Sequence, residues 1–401
     1  MSQKLKILQI TNRLPFPLND GGNIATYYVT KMLAQKGHEV HLLSLNTKKH
    51  YHDPAPLQEI AKVYTVDIDT TVTSMGILKG FFHTIPYNIQ RFESIPFREK
   101  MIDLVQKEAF DVIQMEGIYL AIYVEAIRAN CKSKIILRAH NIEHQIWRRL
   151  SQQNSTFLKK WYYGYLSEKI RVFEAENAPK FDGIIPITDT DAQYFEEKAK
   201  NIPIQSIPAG IDFSVYKPSK KVSEPNTLCM LGSLEWQPNV EAVYWMVEKV
   251  MPLLLAKNPK IQLHIAGKNP PAALMALEAE GVVMHGMVDS AQDFLNAYDI
   301  LVVPLFSGSG MRLKIIEAMA LGKCIVTTSI GVEGIPCTPK KEILLANDVE
   351  SMASTILEVL NDNTLKIKIE GGARSFVKEH YDWEKLINDF VQFYIKKVSE
   401  H

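Results

Sequence analysis

The residues best suited to chemistry lie in one stretch of the second half of the chain. Residues 299–305 form an apolar run of strand length, followed by Ser307-Gly308-Ser309-Gly310 and then by an amphipathic helical pattern that starts at Met311. A second apolar run, residues 324–328, comes next. This order of elements places backbone N–H groups and the positive end of a helix at the carboxyl edge of a parallel sheet. The segment therefore predicts an anion site, usually for phosphate, with Gly308, Ser309, Gly310 and Met311 in its loop.

Three charged residues follow this loop. Arg312 would fall on the apolar face if the helix were already regular there, so we expect it in the loop or first turn, over the Gly-rich mouth. Lys314 and Glu317 share the polar side of the helix. A surface ion pair between these two would contribute only about 0.2–0.5 kcal/mol. The neighbouring loop and strand end favour an anion-binding function for the cations instead.

Two further strand ends in the first half carry candidate residues. Residues 134–138 predict an inner strand that ends in Ala139-His140-Asn141, and its position makes His140 a candidate active-site group. Gly21 and Gly22 lie in a proline- and glycine-rich loop between the first strand, residues 7–10, and a helix over 24–36. Phosphate-binding loops of doubly wound folds occupy this position, although the dinucleotide fingerprint Gly-x-Gly-x-x-Gly is absent.

Strands and helices alternate through both halves of the chain, which predicts an α/β protein of two doubly wound, Rossmann-like domains facing a cleft. A length of 401 residues also exceeds one ordinary core. Residues 214–226 are rich in Lys, Ser and Pro and mark a linker. We therefore expect an N-terminal domain over 1–212, a linker over 213–226 and a C-terminal domain over 227–382.

Composition excludes several classes of function. The chain has 45 basic and 45 acidic residues, so it has no global field that would attract nucleic acid. Its four cysteines show neither metal nor disulfide spacing, which is typical of reduced thiols in the cytosol, and we assign no metal site. No apolar run approaches the length of a membrane span. Residues 148–177 mix basic and aromatic side chains, for which domain packing is favoured over a membrane or lipid-acceptor surface.

Several short motifs together make the chain similar to a known family over nearly its whole length. In order, they are Gly21-Gly22, Gly37-His38-Glu39-Val40, Arg138-Ala139-His140-Asn141, Pro208-Ala209-Gly210-Ile211-Asp212, Gly232-Ser233-Leu234 and the run from Gly308 to Ala318. Their order and spacing resemble the family 4 glycosyltransferases of the GT-B fold, the glycosyl transferases of group 1.

The resemblance implies a retaining transferase of the hexosyltransferase type, which moves a sugar from a nucleotide-diphosphate sugar to a glycan or lipid-linked acceptor. It implies no catalytic metal and no cofactor beyond this donor substrate, and a final helix after Trp383 that completes the first domain. Carried over by position, Glu317 would accept hydrogen bonds from the ribose, Gly22 would approach the donor phosphates, and His140 would lie near the transferred sugar. Gly232 and Ser233 match the donor-side loop.

The sequence departs from the family pattern at two places. Ser309 occupies the position of a glutamate that contacts the donor sugar, and the segment that starts with Gly232-Ser233-Leu234 lacks the customary Arg and Lys. We hypothesise that Arg312 and Lys314 supply the missing positive charge to the diphosphate and so belong to the catalytic set with His140.

Two alternatives remain open at this point. A sugar-nucleotide epimerase has the same architecture, and a catalytically degenerate transferase that binds nucleotide sugars or acts as a scaffold would be consistent with Ser309. A two-domain small-ligand binding protein is less favoured because the N-terminus reads as a strand and not as an export signal. The family-level expectation is polysaccharide or lipopolysaccharide biosynthesis, with a cytoplasmic location and peripheral contact with the inner face of the membrane.

Overall fold

The computed structural model of the protein describes residues 3–18, 21–153, 156–219, 223–307 and 311–399. The chain divides into two compact units, one containing the residues up to Gly210 and those from Trp383 onward, the other Ile211–Asp382. The predicted boundary at 212 differs by two residues, because Ile211 donates its N–H to the carbonyl of Tyr381 at 2.6 Å and so joins the second unit. The predicted linker is also too long, since a strand already begins at Glu224.

The first unit contains a parallel sheet whose six described strands have the order β3-β2-β1-β4-β5-β6. The inner strands are rich in Ile, Leu and Val and are buried on both faces, as expected of a parallel sheet with helices on each side. The strands are β1 (Lys6–Thr11), β2 (Glu39–Thr47), β3 (Lys62–Ile68), β4 (Val112–Glu116), β5 (Lys134–Ala139) and β6 (Gly183–Pro186).

The helices of this unit connect successive strands. They are α1 (Gly21–Gln35), α2 (Ala55–Gln58), α3 (Ser74–Gly80), α4 (Tyr87–Gln90), α5 (Ile95–Lys107), α6 (Val124–Arg128), α7 (Glu143–Gln153), α8 (Phe157–Asn177) and α9 (Asp189–Lys198), with 3₁₀ turns at Lys48–His50, Ile118–Tyr123 and Ala178–Lys180. Helix α1 begins at Gly21, so the two glycines predicted in a loop form the first turn of this helix instead. The predicted helical region 148–177 consists of two helices, α7 and α8.

The second unit contains another parallel sheet, with its six described strands in the order β12-β11-β10-β7-β8-β9. The central strand β10 is buried along its whole length, and the strand order reverses direction at β7 and β10. The strands are β7 (Glu224–Leu231), β8 (Gln262–Ala266), β9 (Val282–Gly286), β10 (Tyr298–Val303), β11 (Cys324–Thr327) and β12 (Leu344–Leu345).

The helices of the second unit pack on both faces of its sheet around one large apolar core. They are α10 (Gln237–Trp245), a π-helical segment (Met246–Val250), α11 (Met251–Leu255), α12 (Ala272–Met275), α13 (Ala291–Ala297), α14 (Leu313–Ala320), α15 (Val349–Asn361) and α16 (Asn363–His380). Both units thus have the doubly wound α/β architecture, and the predicted fold class is confirmed.

The last helix, α17 (Trp383–Ser399), packs in the first unit. Trp383, Phe390 and Tyr394 are fully buried there, and the indole of Trp383 stacks on Tyr28 of α1 with the ring centroids 6.2 Å apart. The C-terminal helix is therefore part of the core of the first unit. In the described part of the chain, no helix has the length and apolar character needed to cross a membrane.

Candidate active site

The candidate site in the second unit lies at the carboxyl ends of β7, β8 and β10, where ligands bind in open α/β sheets. The loops after β7 and β8 approach closely: a Cβ on Gly267 would lie 1.8 Å from the carbonyl oxygen of Gly232. A Cβ on Gly232 would in turn lie 2.8 Å from Nδ2 of Asn239 and 3.3 Å from Nζ of Lys314. Glycine at these two positions therefore lets the two loops pack closely together beside the amine of Lys314.

Lys314 lies in the first turn of α14 and is held at this edge. Its Nζ donates a hydrogen bond to Oδ1 of Asn239 at 2.9 Å. Burial, reinforced by the positive charge of Arg312, lowers the pKa of the Lys314 amine to about 7. Asn239 in turn donates from Nδ2 to the carbonyl of Ser233 at 2.8 Å, so this asparagine connects the predicted Gly232-Ser233 loop to the lysine.

Arg312 is the N-cap residue of α14 and precedes the regular helix, as its place in the helical pattern predicts. Its carbonyl accepts the N–H of Ile315 at 2.8 Å, and its side chain is buried. The guanidinium carbon lies 5.4 Å from the centre of the Trp236 ring, a cation–π arrangement. Two cationic side chains thus lie near each other at the start of one helix, where the helix dipole also favours an anion.

Glu317 lies one turn further along α14 and accepts a hydrogen bond from the hydroxyl of Tyr216. Burial raises the pKa of Glu317, and the hydrogen bond from Tyr216 opposes that rise. The Glu317 side chain is half-buried, and the hydroxyl of Tyr216 orients its carboxylate. In the structure, Lys314 hydrogen-bonds to Asn239, and Glu317 hydrogen-bonds to Tyr216. These contacts take the place of the surface ion pair considered for the two residues.

The glycine-rich loop itself is described only in part. Gly308, Ser309 and Gly310, the centre of the predicted anion loop, lie outside the described residues. Met311 is half-buried and packs against the core of the second unit, so its side chain is a packing element and only its backbone remains a candidate for anion binding.

The first unit contains its own cavity, of about 540 Å³, at the carboxyl ends of β1, β4 and β5. Its walls are mostly polar. They include Thr11, Arg13, Gly22, Thr26, Asn88, Arg91, Glu116, Tyr119, His140, Asn141, Glu143 and Trp147. The structure therefore places Gly22 and His140 in one cavity, whereas Gly21 is exposed at the start of α1.

His140 is held by a buried carboxylate in this cavity. Its Nε2 lies 2.7 Å from Oε2 of Glu116, whose other oxygen accepts a hydrogen bond from Gln9 at 2.6 Å. Burial alone would raise the pKa of Glu116, but the hydrogen bond and charge of His140 outweigh it, so the pKa is lowered. A carboxylate in this position fixes the orientation of the imidazole.

A second acidic group lines the same cavity. Oε2 of Glu143 accepts a hydrogen bond from Tyr119 at 3.0 Å. Burial raises the pKa of Glu143 to about 7; the tyrosine hydroxyl opposes this rise, and the nearby Glu174 adds to it. The cavity therefore contains one carboxylate that is ionised and a second that titrates near neutrality.

Sequence reasoning missed several of these groups. Glu116 is the last residue of β4, whose apolar run is visible in the sequence, so the strand-end rule that selected His140 would have found it. Tyr216 and Asn239 gave no such signal, because they lie 101 and 75 residues from Glu317 and Lys314 in the chain. Within the described ranges, no group of three or more His, Cys, Asp or Glu is arranged to hold a metal ion.

Comparison with known proteins identifies relatives of both halves. The family model for Glycosyltransferase Family 4 matches residues 19–215, and the model for Glycosyl transferases group 1 matches residues 225–362. An uncharacterized 44.6 kDa protein in a cps region of Klebsiella pneumoniae is 24% identical, with 96% of this chain and 98% of that protein aligned.

Solved structures show the same fold. Sucrose-phosphate synthase from Thermosynechococcus elongatus superposes with a TM-score of 0.69 at 15% identity, covering 99% of this chain and all of that one. HepE from Anabaena, in complex with UDP and glucose, superposes with a TM-score of 0.66 at 13% identity, covering 97% and 99% of the two chains. At these identities the likeness establishes the fold alone.

Proposed function

The chain belongs to the family 4 glycosyltransferases, with the group 1 glycosyl transferase domain as its second half, and from this premise we propose that it is a retaining, metal-independent enzyme. We further propose that the donor is a nucleotide-diphosphate sugar and that the acceptor is a glycan or a lipid-linked glycan. Transferase activity itself follows from the family.

One observation carries the proposal for the donor. Arg312 and Lys314 lie at the start of α14, Lys314 beside Gly232, and Glu317 follows on the same helix. A diphosphate needs positive charge and N–H donors, whereas a ribose needs an acceptor for its hydroxyl groups. The two cations supply the first requirement, and the carboxylate oriented by Tyr216 supplies the second.

The same groups fit the chemistry of transfer. Cleavage of the bond between the sugar and the diphosphate produces an oxocarbenium-like centre and a leaving anion. Fixed cations in a site of low dielectric stabilise this anion as it forms, without reorganisation at the moment of reaction. A protein guanidinium and amine can provide this charge stabilisation, which is the basis for proposing a reaction without a metal ion.

His140 is the proposed catalytic group of the first unit, and Glu116 holds it in place. The buried carboxylate of Glu116 keeps the imidazole in one orientation. We propose that this imidazole donates a hydrogen bond to a hydroxyl of the transferred sugar, which positions the ring during bond cleavage. Glu116 is then a positioning residue that acts through His140.

The acceptor side is proposed from the relative in the cps region. That relative aligns over nearly the whole of both chains, which supports a function in polysaccharide biosynthesis. A cytoplasmic enzyme in peripheral contact with the membrane would meet both a soluble donor and a lipid-linked acceptor, and we propose this location.

Donor binding provides the direct test of the proposal. The protein is titrated with UDP-, GDP- and ADP-sugars, and thermal stabilisation is measured, since a ligand that binds the folded state raises the stability with the logarithm of its concentration. We expect one nucleotide class to bind and Glu317→Gln to weaken its binding at least tenfold. Glu241→Gln, an exposed carboxylate on α10, is the matched control and leaves binding unchanged. If no nucleotide sugar stabilises the wild type, the proposed donor class is wrong.

A further inference from the structure

A second cavity of the first unit adjoins the polar one. It has a volume of about 390 Å³ and is mainly apolar, with Ile77, Tyr87, Leu158, Tyr162 and Leu166 in its walls. Asn88, Arg91 and Trp147 line both cavities, so the polar and apolar spaces meet at these three residues. The first unit thus offers one continuous surface that is polar at one end and apolar at the other.

Two side chains at the junction have buried polar atoms without a hydrogen-bond partner among the described residues. Arg91 donates from Nη1 to the carbonyl of Thr70 at 2.5 Å, but its buried Nε has no hydrogen-bond partner among the described residues. The buried Oδ1 of Asn88 also has none within the described ranges, while its Nδ2 donates to Tyr119 at 3.4 Å. Buried polar groups normally have partners, so an unpaired guanidinium N–H here indicates a ligand with an acceptor oxygen.

The apolar cavity opens near exposed aromatic and apolar side chains that flank two lysines. The helices α3 and α8 flank it and are held together by the stacking of Phe81 on Trp161, with ring centroids 5.9 Å apart. Around the opening, Phe157 is 77% exposed, Leu158 72% and Trp161 56%. Lys159 and Lys160 lie next to these residues in α8 and are also exposed. Exposed aromatic side chains next to lysines are typical of surfaces that meet lipid.

The side chains of residues 148–177 are partly packed and partly exposed. Domain packing was favoured over a lipid-acceptor surface, and Tyr162, Tyr163 and Leu166 do pack inward. However, the start of α8 remains exposed, and its apolar side chains border a cavity.

We propose, on the basis of the proposed transferase function, that the acceptor is an amphipathic lipid with a phosphate between its polar head and its hydrocarbon chain. The polar cavity takes the head group that receives the sugar. Arg91 binds the phosphate at the junction, where its side chain lines both cavities and its positive charge meets an anionic oxygen. The first part of the hydrocarbon chain occupies the apolar cavity, and the remainder leaves past Leu158 and Trp161.

Binding of three small probes to the full chain tests this inference. Geranyl phosphate has both a chain and a phosphate, methyl phosphate has only the phosphate, and geraniol has only the chain. We expect geranyl phosphate to bind at least tenfold more tightly than either of the others, measured by calorimetry. Equal affinity of geranyl phosphate and methyl phosphate would overturn the proposal, as would equal affinity of geranyl phosphate and geraniol.

Two variants locate the binding. Leu158→Asp adds a charge to the wall of the apolar cavity at an exposed position where folding is not at risk, and we expect it to weaken geranyl phosphate at least tenfold without affecting methyl phosphate. Arg91→Gln should weaken both phosphates and leave geraniol unchanged. Ile367→Asp, at an apolar position 58% exposed in the second unit, is the control and should change none of the three. Equal effects of Leu158→Asp and Ile367→Asp would contradict the assignment.

Donor binding, measured on the same preparations, separates this inference from the proposed function. If a nucleotide sugar binds through Glu317 but the hydrocarbon chain adds no affinity, the lipid acceptor is wrong and the transferase assignment stands. If no nucleotide sugar binds, the proposed donor class fails whatever the lipid probes show.

Discussion

At the scale of single residues, the site depends on charges whose protonation is set by burial. Lys314 is an amine whose pKa is about 7, because it is buried and lies near Arg312. The pKa of Glu116 is lowered as well, but for a carboxyl group this favours the charged form: burial raises the pKa, and His140 together with Gln9 and Arg138 outweighs that effect. Each shifted pKa means that the two protonation states of the group interact differently with the protein. Ligand binding or a change in pH can therefore change the charge of the group.

Donor affinity is expected to depend on pH through Lys314. A bound diphosphate favours the charged amine and raises its pKa above 7, so binding takes up a proton when the pH exceeds the pKa of the free protein. Affinity should therefore be highest below pH 7 and fall by up to about tenfold per pH unit above it. Calorimetry between pH 6.5 and 9 in buffers of different ionisation enthalpy measures both effects.

Lys314→Met provides the control for this pH dependence. The variant should bind the donor more weakly and with little change above pH 7, because the titrating amine is absent. Ionisation of Glu317, whose pKa is raised, would improve ribose binding at higher pH and so has the opposite sign. An affinity of the wild type that rises with pH would contradict the role of Lys314.

Glu116 should affect catalysis through His140. Glu116→Gln retains the shape of the side chain but removes the charge that fixes the imidazole, and we expect kcat to fall by roughly 10²-fold, the loss that a misplacement of about 1 Å in an active site causes. A double-mutant cycle with His140→Ala is the measurement. If Glu116 acts through the histidine, the double variant loses little more than His140→Ala alone; fully additive losses would show that the two residues act independently.

At the scale of elements, the carboxyl edge of the second sheet contains two loops that only glycine allows to approach each other. The loops after β7 and β8 come together at Gly232 and Gly267, and Asn239 at the start of α10 connects this edge to Lys314 on α14. The apolar runs and turn glycines predicted these elements because strand formation and helix ends are encoded locally. The contact between the two glycine loops joins separate strands and has no local signal.

Gly267→Ala tests this close approach. The added Cβ would lie 1.8 Å from a backbone oxygen, so the two loops must separate, and we expect a loss of about 1–3 kcal/mol in the free energy of unfolding together with weaker donor binding. Gly371→Ala is the matched control, since this glycine lies within α16 with no atom within 4 Å of the new Cβ. That change should be neutral or stabilising by roughly 0.5–1 kcal/mol. Similar destabilisation by both changes would contradict the explanation.

At the scale of the whole molecule, the two α/β units and the family could be recognised from the sequence, whereas much of the site could not. His140, Lys314 and Glu317 stood out because they follow strand ends or a glycine loop. Their partners Asn239 and Tyr216 are distant in the chain, so only folding brings them into contact. The cavity bordered by α3, α4, α7 and α8 depends in the same way on packing between elements, which a helical pattern alone does not specify.

Helix α17, at the end of the chain, contributes to the stability of the first unit. Trp383→Ala removes a fully buried indole that stacks on Tyr28, and we expect a cost of about 3–5 kcal/mol. Hydrogen exchange should show lost protection in α1 and α17, with protection in β10 of the second unit retained. Equal loss of protection in both units would show that they unfold together.

The most direct measurement of the central claim is the rate at which the enzyme releases nucleoside diphosphate from the nucleotide sugar that it binds. Arg312→Gln and Lys314→Gln should each lower this rate, and the double variant should lower it at least 100-fold, because both cations stabilise the leaving diphosphate. Lys249→Gln, at an exposed lysine of the same unit, is the control and should stay within twofold of the wild type. We predict that the wild-type rate is unchanged by EDTA. An unchanged rate in the double variant, or a rate abolished by EDTA and restored by a divalent metal, would contradict the account.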